Sequence, residues 1–403
     1  MKVFQISSEV NTGSVGRIAE QIGECILEQG WESYIAYGRD KRSSASKIIK
    51  IGNRLDVLKH VLLTRLTDRH GFGAKSATLR LIKEIKRFEP DIIQLQHLHG
   101  YFINIELLFN FLSKANIPVV WTFHDCWSFT GHCSHYEYID CNKWKSQCQK
   151  CPQLNEYPKS SLIDNSYRNY NDKKKLFNSV SNLTIIPVSK WLSDEVKKSF
   201  LRNNSITVIQ NGIDLEVFRP VLGSRIIKKY KIDSKFVILG VASPWNERKG
   251  LNFFIELNEC IDQGRYQIIL VGLNDEQLKN IPKSIIGLQR TEDVNELAEF
   301  YSIADVFVNP TLEDTFPTTN LEALACGTPV ITFRSGGSPE AIDDNTGIVV
   351  KKGDVQGLKN AISIIKEKGK SYYQENCRNR AELLFDKKRN FLKYIELYKK
   401  IKQ

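Results

Sequence analysis

The sequence predicts an α/β protein built as two doubly wound domains in series. Three observations carry this. Short runs rich in Val and Ile alternate with segments of helical period, the same rhythm restarts after residue 235, and 403 residues exceed one comfortable core while falling short of three large ones.

In the first half the runs are KVFQIS, SYIAYG, DIIQLQ, PVVWTF and LTIIPVS, which read as buried parallel strands. In the second half they are FVILGVA, YQIILVG, ADVFVNP, PVITF and GIVV. Between the halves, IQNGIDLEVFRP carries an Asn-Gly turn and ends in Pro220, which marks the interdomain connection. The expected organisation is a first domain over 1-210 with a Cys-rich insert at 126-158, a second over 211-385 and a terminal helix over 386-403. That helix repeats Phe391, Tyr394, Ile395, Leu397, Tyr398 and Ile401 at helical spacing and needs an apolar surface. A return to the cleft edge of the first domain would supply one.

The net charge of +11, from 57 Lys and Arg against 46 Asp and Glu, favours anionic partners without choosing among them. The opening MKVFQISSEVNTG reads as a strand and a polar turn, and no run of 18 apolar residues occurs, so a cytoplasmic protein is expected. Nine cysteines, an odd number, point to reduced thiols or metal ligands. No stripe of basic and aromatic residues suggests nucleic acid as a partner.

Open parallel sheets bind ligands beyond the carboxyl ends of their strands, where helix amino termini point free N–H groups outward. With two such domains, the cleft between them is the expected site. LEDTFPTTNLEALACGTPVITF, Leu312 to Phe333, follows the strand ADVFVNP and so places Asp314 in a loop at that end. Pro317 and Thr318 or Thr319 then start a helix under a hydroxyl cap, and the amides of Thr318, Thr319 and Asn320 face an anion such as a diphosphate. Glu322, eight residues after Asp314, is placed in the first turn, where a carboxylate can accept two hydrogen bonds from a ribose diol. In isolation the two acids would read as a cap and a solvated loop residue.

SPWNERKGLNFF sets Arg248 and Lys249 before Gly250 and a helix, either as two cations at the mouth of the second sheet or as a surface charge pair. In SSEVNTGSVGRIAEQIGE, Gly13 and Gly16 permit a tight turn and close backbone approach, with Arg17 at the helix start, although the spacing is not G-x-G-x-x-G. WTFHDCW puts His124 and Asp125 just past one strand, and QLQHLHGYF puts His97 and His99 past the preceding one. A His there is a ligand, a proton-handling group or a structural side chain bonded to backbone.

Together these stretches resemble the family 4 retaining glycosyltransferases of GT-B fold, over essentially the whole chain. The signature there is Glu-x7-Glu followed by EA-A-CG-PV, here DTFPTTNLEALACGTPV with Asp314 in place of the first Glu. SGGSPEAI, Ser335 to Ile342, adds a further turn of family type. The resemblance implies two Rossmann-like domains facing a cleft, and retaining transfer of a sugar from a nucleotide diphosphate sugar without a catalytic metal. It implies Glu322 on the donor ribose, Lys249 on the diphosphate, Asp314 on sugar hydroxyls near the reaction centre, His124 touching the donor sugar, and a glycine turn at Gly13 to Gly16. The family's usual Arg falls near Ser243, and Arg248 is its candidate substitute. Within the family the likeness is to bacterial enzymes of capsule, exopolysaccharide and lipopolysaccharide assembly, carried by WTFHDCWSFTGHCSHY and CQKCPQLNEYP. A lipid-linked oligosaccharide acceptor at the inner face of the cell membrane is the corresponding expectation. A GT-B sugar phosphorylase, nucleotide-sugar hydrolase or epimerase would share the cleft without a glycan acceptor, and a nucleotide-regulated nucleic-acid-binding protein is a remoter alternative.

Two further elements stand apart. Cys133, Cys141, Cys148 and Cys151 are spaced C-x7-C-x6-C-x2-C, with Cys126, His132 and His135 nearby. The knuckle and two more thiolates suit a tetrahedral structural zinc, and a metal-free reduced cluster or one internal disulfide are the alternatives. In NRLDVLKHVLLTRLTDRHGFG, Leu55, Leu58, Leu62, Leu63 and Leu66 lie among Lys59, Arg65 and Arg69. That is a basic amphipathic helix for an anionic lipid surface, or a helix packed on the first sheet with a solvated basic face.

Overall fold

The computed structural model describes residues 1–221, 225–232 and 234–402. The chain forms two compact units, one of residues 1–210 with 391–403 and one of residues 211–390.

In the first unit seven strands form one parallel sheet: β1 (Lys2–Ser7), β2 (Glu32–Tyr37), β3 (Lys47–Lys50), β4 (Ile92–Leu95), β5 (Val119–Phe123), β6 (Leu183–Pro187) and β7 (Ser205–Ile206). Their order is β3-β2-β1-β4-β5-β6-β7, so the winding reverses between β1 and β4. That reversal opens a crevice at the carboxyl ends of the strands. β4, β5 and β6 are buried along their whole length, which is why their sequences are nearly continuous apolar runs. The edge strands β3 and β7 are the ones the apolar runs do not announce.

The helix Gly13–Glu28 covers one face of this sheet through Ile18, Ile22 and Ile26. The terminal helix Lys387–Lys402 covers the same face, placing Phe391, Tyr394, Ile395 and Tyr398 against Val3, Ile92, Val120 and Ile186. It therefore seals a sheet face rather than an edge. Each such side chain contributes on the order of 2 kcal/mol of burial. The two tyrosine hydroxyls keep partners inside: Tyr398 donates to Gln94 Oε1 at 2.9 Å, and Tyr394 pairs with Thr122 Oγ1 at 3.1 Å.

The second unit holds β8 (Phe236–Val241), β9 (Tyr266–Val271), β10 (Ile286–Leu288), β11 (Val306–Asn309), β12 (Val330–Phe333) and β13 (Gly347–Val350) in the parallel order β10-β9-β8-β11-β12-β13. Here the winding reverses between β8 and β11. The loops leaving those two strands carry SPWNERKG and LEDTFPTT, and the reversal makes them neighbours.

Candidate active site

Backbone hydrogen bonds zip the two loops of the second unit together. The Leu312 amide donates to the Arg248 carbonyl at 2.8 Å, and Thr311 Oγ1 donates to the same oxygen at 3.3 Å. Glycines permit two close approaches here, one between these loops and one from the loop after β12. Gly250 has φ +81°, and a Cβ there would lie 2.2 Å from the Pro310 carbonyl oxygen. Gly336 has φ +51°, and a Cβ there would lie 1.9 Å from the Asp314 carbonyl oxygen. With the loops so held, four charged side chains pair across them. Lys249 Nζ lies 2.5 Å from Asp314 Oδ2, and Arg248 Nε lies 3.7 Å from Glu313 Oε1. Glu313, the neighbour of Asp314 in the chain, is buried and anchors Arg248.

The helix that follows spans Thr318–Ala325, with Pro317 at its N-cap and no side-chain capping bond. The expected hydroxyl cap is thus absent, and the half-buried Thr318 and Thr319 at the helix start offer N–H donors to a ligand. Asn320 does not join them. Its amide donates to the Pro317 carbonyl at 3.2 Å, and its buried side chain accepts from Asn309 Nδ2 at 2.8 Å and donates to the Ser338 carbonyl at 3.2 Å. Glu322 is the fifth residue of the helix, one turn further in than expected. There its Oε2 accepts a 2.8 Å hydrogen bond from Tyr301, whose ring is fully buried. Burial and the neighbouring Glu322 hold the Tyr301 hydroxyl well above the ordinary tyrosine range, so it stays a donor.

In the first unit the sequence-predicted residues gather at the carboxyl ends of β1, β4 and β5. Gly13 opens its helix, Gly16 is buried in the first turn where Glu9 leaves little room for a Cβ, and Arg17 is exposed. His124 Nε2 lies 2.8 Å from Gln96 Oε1; the Gln96 amide group faces Gln5, so the imidazole proton is assigned to Nε2. Burial lowers His124 to about 4, which keeps it neutral near pH 7. Beside it, ligand atoms of His97, His99 and Asp125 lie within 4.8 Å of one another. Asp125 Oδ2 is 2.6 Å from His99 Nε2 and 3.4 Å from His97 Nε2, while Oδ1 accepts from the Trp127 amide at 3.0 Å. Burial resists ionisation of Asp125, but His99 and His97 outweigh it and hold the carboxyl well below its usual range. The Tyr157 hydroxyl completes the row, 3.0 Å from His99 Nδ1. Tyr157 comes from an irregular segment, so this His–Asp–Tyr linkage is not evident from the strand-end positions of the histidines and Asp125.

The family model described as Glycosyltransferase Family 4 matches residues 15–217, and that described as Glycosyl transferases group 1 matches residues 235–367. The chain belongs to glycosyltransferase family 4. It is 24% identical over 378 residues to Escherichia coli K12 WcaC, named as a colanic acid biosynthesis glycosyl transferase, covering 89% of each chain. The fold matches sucrose-phosphate synthase from Thermosynechococcus elongatus at TM-score 0.72 and 17% identity, over 100% of this chain and 99% of that one. It also matches Anabaena HepE in complex with UDP at TM-score 0.69 and 16% identity, over 99% and 100%. The GT-B architecture of this family 4 member is thereby shown.

Two surfaces of the family 4 chain lie outside these clusters. A cavity of about 1270 Å³ lined by Lys145, Lys174 and Arg202 lies at the amino ends of β5 and β6, opposite to the strand ends that carry the chemistry. The helix Arg54–Thr67 buries only His60 and Thr64, and exposes Leu55 (64%), Leu58 (62%), Leu62 (57%) and Leu66 (40%) beside exposed Arg54, Lys59 and Arg65. This is the reverse of a helix packed on the sheet through its leucines. Arg69 is not part of that basic face: it pairs with Asp172 at 2.7 Å and stacks on Phe72 at 3.6 Å. No helix among the described residues is long and apolar enough to cross a membrane.

Proposed function

We propose that this glycosyltransferase moves a sugar, with retention, from a nucleotide diphosphate sugar to a lipid-linked glycan in bacterial surface polysaccharide assembly. The observation that carries the reading is the Lys249–Asp314 pair beside an uncapped helix start, with Glu322 held by Tyr301. Transfer requires the departing diphosphate's charge to be stabilised while positive charge develops at the anomeric carbon. Lys249, Arg248 and the amides of Thr318 and Thr319 take that diphosphate, and Pro317 sets the helix entry. Glu322 accepts from the ribose diol. Asp314 exchanges its bond to Lys249 for the sugar hydroxyls, so donor binding opens the ion pair. Retention follows from same-face attack by the acceptor as the diphosphate leaves. In the first unit, neutral His124 and the Gly13 to Gly16 turn with Arg17 are assigned to sugar binding. Support for a polysaccharide role is the similarity to a protein named for colanic acid biosynthesis.

The exposed leucines and flanking cations of Arg54–Thr67 favour an anionic membrane surface as the place where a lipid-linked acceptor is met. The experiment that tests the donor reading is a thermal-shift screen of nucleotide sugars. Stabilisation by one nucleotide series, lost in Lys249→Met, is expected, and no stabilisation by any nucleotide or nucleotide sugar would overturn it.

A further inference from the structure

We propose that the Cys-rich segment of the first unit is a structural Zn²⁺ site with Cys133, Cys141, Cys148 and Cys151 as its four ligands and the carboxylate-held His132 beside them. The inference is independent of the donor-site reading.

The four cysteines and His132 line one small cavity. Around it the chain from residue 130 to 165 forms no helix or strand beyond the single turn Lys143–Lys145. So long an irregular stretch inside a compact unit is of the kind that a cross-link or a ligand holds. Its backbone is already arranged for thiolates. The Gly131 amide donates to Cys148 Sγ at 3.2 Å. A Cβ on Gly131 would lie 2.2 Å from the Ser166 carbonyl oxygen and 2.6 Å from Cys148 Cβ, so this close approach depends on glycine.

Two buried groups point to a bound ion there. His132 and Asp68 pair through Nδ1 and Oδ1 with both side chains wholly out of solvent, and His132 Nε2 is buried without a partner. A carboxylate that fixes an imidazole through one nitrogen is a usual outer-shell element of a metal site. Four thiolates complete a tetrahedral set, and His132 lines the same cavity beside them. The second group is Lys173. It is 1% exposed, donates to the carbonyls of Trp127 at 2.7 Å and Thr130 at 3.2 Å, and lies 3.5 Å over the Trp127 ring. Among the described residues no carboxylate pairs with it, and a buried ammonium needs an anion. Binding converts four thiols and Zn²⁺ into a tetrathiolate of charge −2 with release of four protons, which supplies that anion. The site also has a use. Tyr157, six residues beyond Cys151, is carried by this segment to His99 Nδ1.

The test is metal analysis of the full chain purified without chelators. One zinc per chain is expected, released in step with mercurial titration of four thiols, and replacement by Co²⁺ should give thiolate charge-transfer absorption. Cys260→Ser, an exposed cysteine elsewhere, should keep the zinc, and Cys148→Ser should lose it. His132→Gln should keep one zinc but release it to chelator on the order of 10 to 100 times faster. Because Cys148→Ser can fail to fold, the decisive readings are on the unaltered chain. Absence of zinc after growth in zinc-supplemented medium, free reaction of the four thiols with Ellman's reagent, or a disulfide between any two of them would overturn the proposal. Loss of zinc in His132→Gln with retention in Cys133→Ser would overturn the ligand set.

Discussion

Replacing Tyr301 by Phe removes a single oxygen from the interior of the second unit and tests whether Glu322 is held for a purpose. The hydroxyl donates to Glu322 Oε2 at 2.8 Å, and both residues are buried. A hydrogen bond to a buried carboxylate is worth about 1.5–3 kcal/mol. A unit of about 180 residues responds by roughly 2–4 °C per kcal/mol, so at about 2 kcal/mol its unfolding midpoint should fall by about 4–8 °C. Calorimetry of the full chain reads this as a drop in one transition. A Glu322 carboxylate no longer aimed by Tyr301 loses much of its bond to the ribose, so the nucleoside diphosphate should bind about 10-fold more weakly. Titration with the 2′-deoxy nucleotide separates the two effects: its affinity should change little between wild type and variant. An unchanged midpoint, or equal weakening for ribose and deoxyribose nucleotides, would refute the assignment of Glu322 to the ribose diol.

Lys249→Met should lower kcat about 10²–10³-fold while moving the unfolding midpoint little, because the Lys249–Asp314 pair is partly solvated; an unchanged kcat would count against a diphosphate role. His124 and His60 both fall from 6.5 to about 4 through burial, so the unfolded chain takes up their protons first as the solution is acidified. Stability should be level above pH 6.5 and fall by roughly 3 kcal/mol for each by pH 4, read as a steep acid-side loss in denaturant midpoint; a flat profile from pH 7 to 5 would contradict it. Co-sedimentation with phosphatidylglycerol vesicles should weaken on the order of 100-fold when Arg54, Lys59 and Arg65 are changed to Gln, at about 1 kcal/mol per charge, and also in Leu58→Glu, while neutral vesicles bind little. Gly336→Ala should displace Asp314 by its carbonyl and reduce kcat with the fold retained; a fully active variant would show that this approach is dispensable.

Where burial leaves a continuous apolar run, the sequence was legible. β4, β5, β6, β8 and β9 lie inside their sheets and announce themselves, as does the helical repeat from Phe391 to Ile401. β3 and β7 lie at the edges, one only half buried and the other two residues long, and local pattern has little to register there. At the site, Asp314 and Lys249 could be read because their loops follow strand ends, and Glu322 from its spacing to Asp314, although it sits one turn deeper in its helix than expected. The Arg248–Glu313 anchor and the Tyr301–Glu322 bond could not, since each joins segments brought together only by the winding of the sheet. The helix Arg54–Thr67 misleads for a different reason: amphipathic spacing says that one face is apolar, but not whether protein or lipid covers it.

The most direct test of the central claim is acceptor-dependent release of nucleoside diphosphate. The chain is mixed with a panel of nucleotide sugars, with and without lipid-linked oligosaccharides, and the anomeric configuration of the product is read by NMR. Release from one donor series is expected, strongly accelerated by the glycan acceptor, with a product that keeps the donor's anomeric configuration. Release at the same rate without any glycan, or an inverted product, would contradict it.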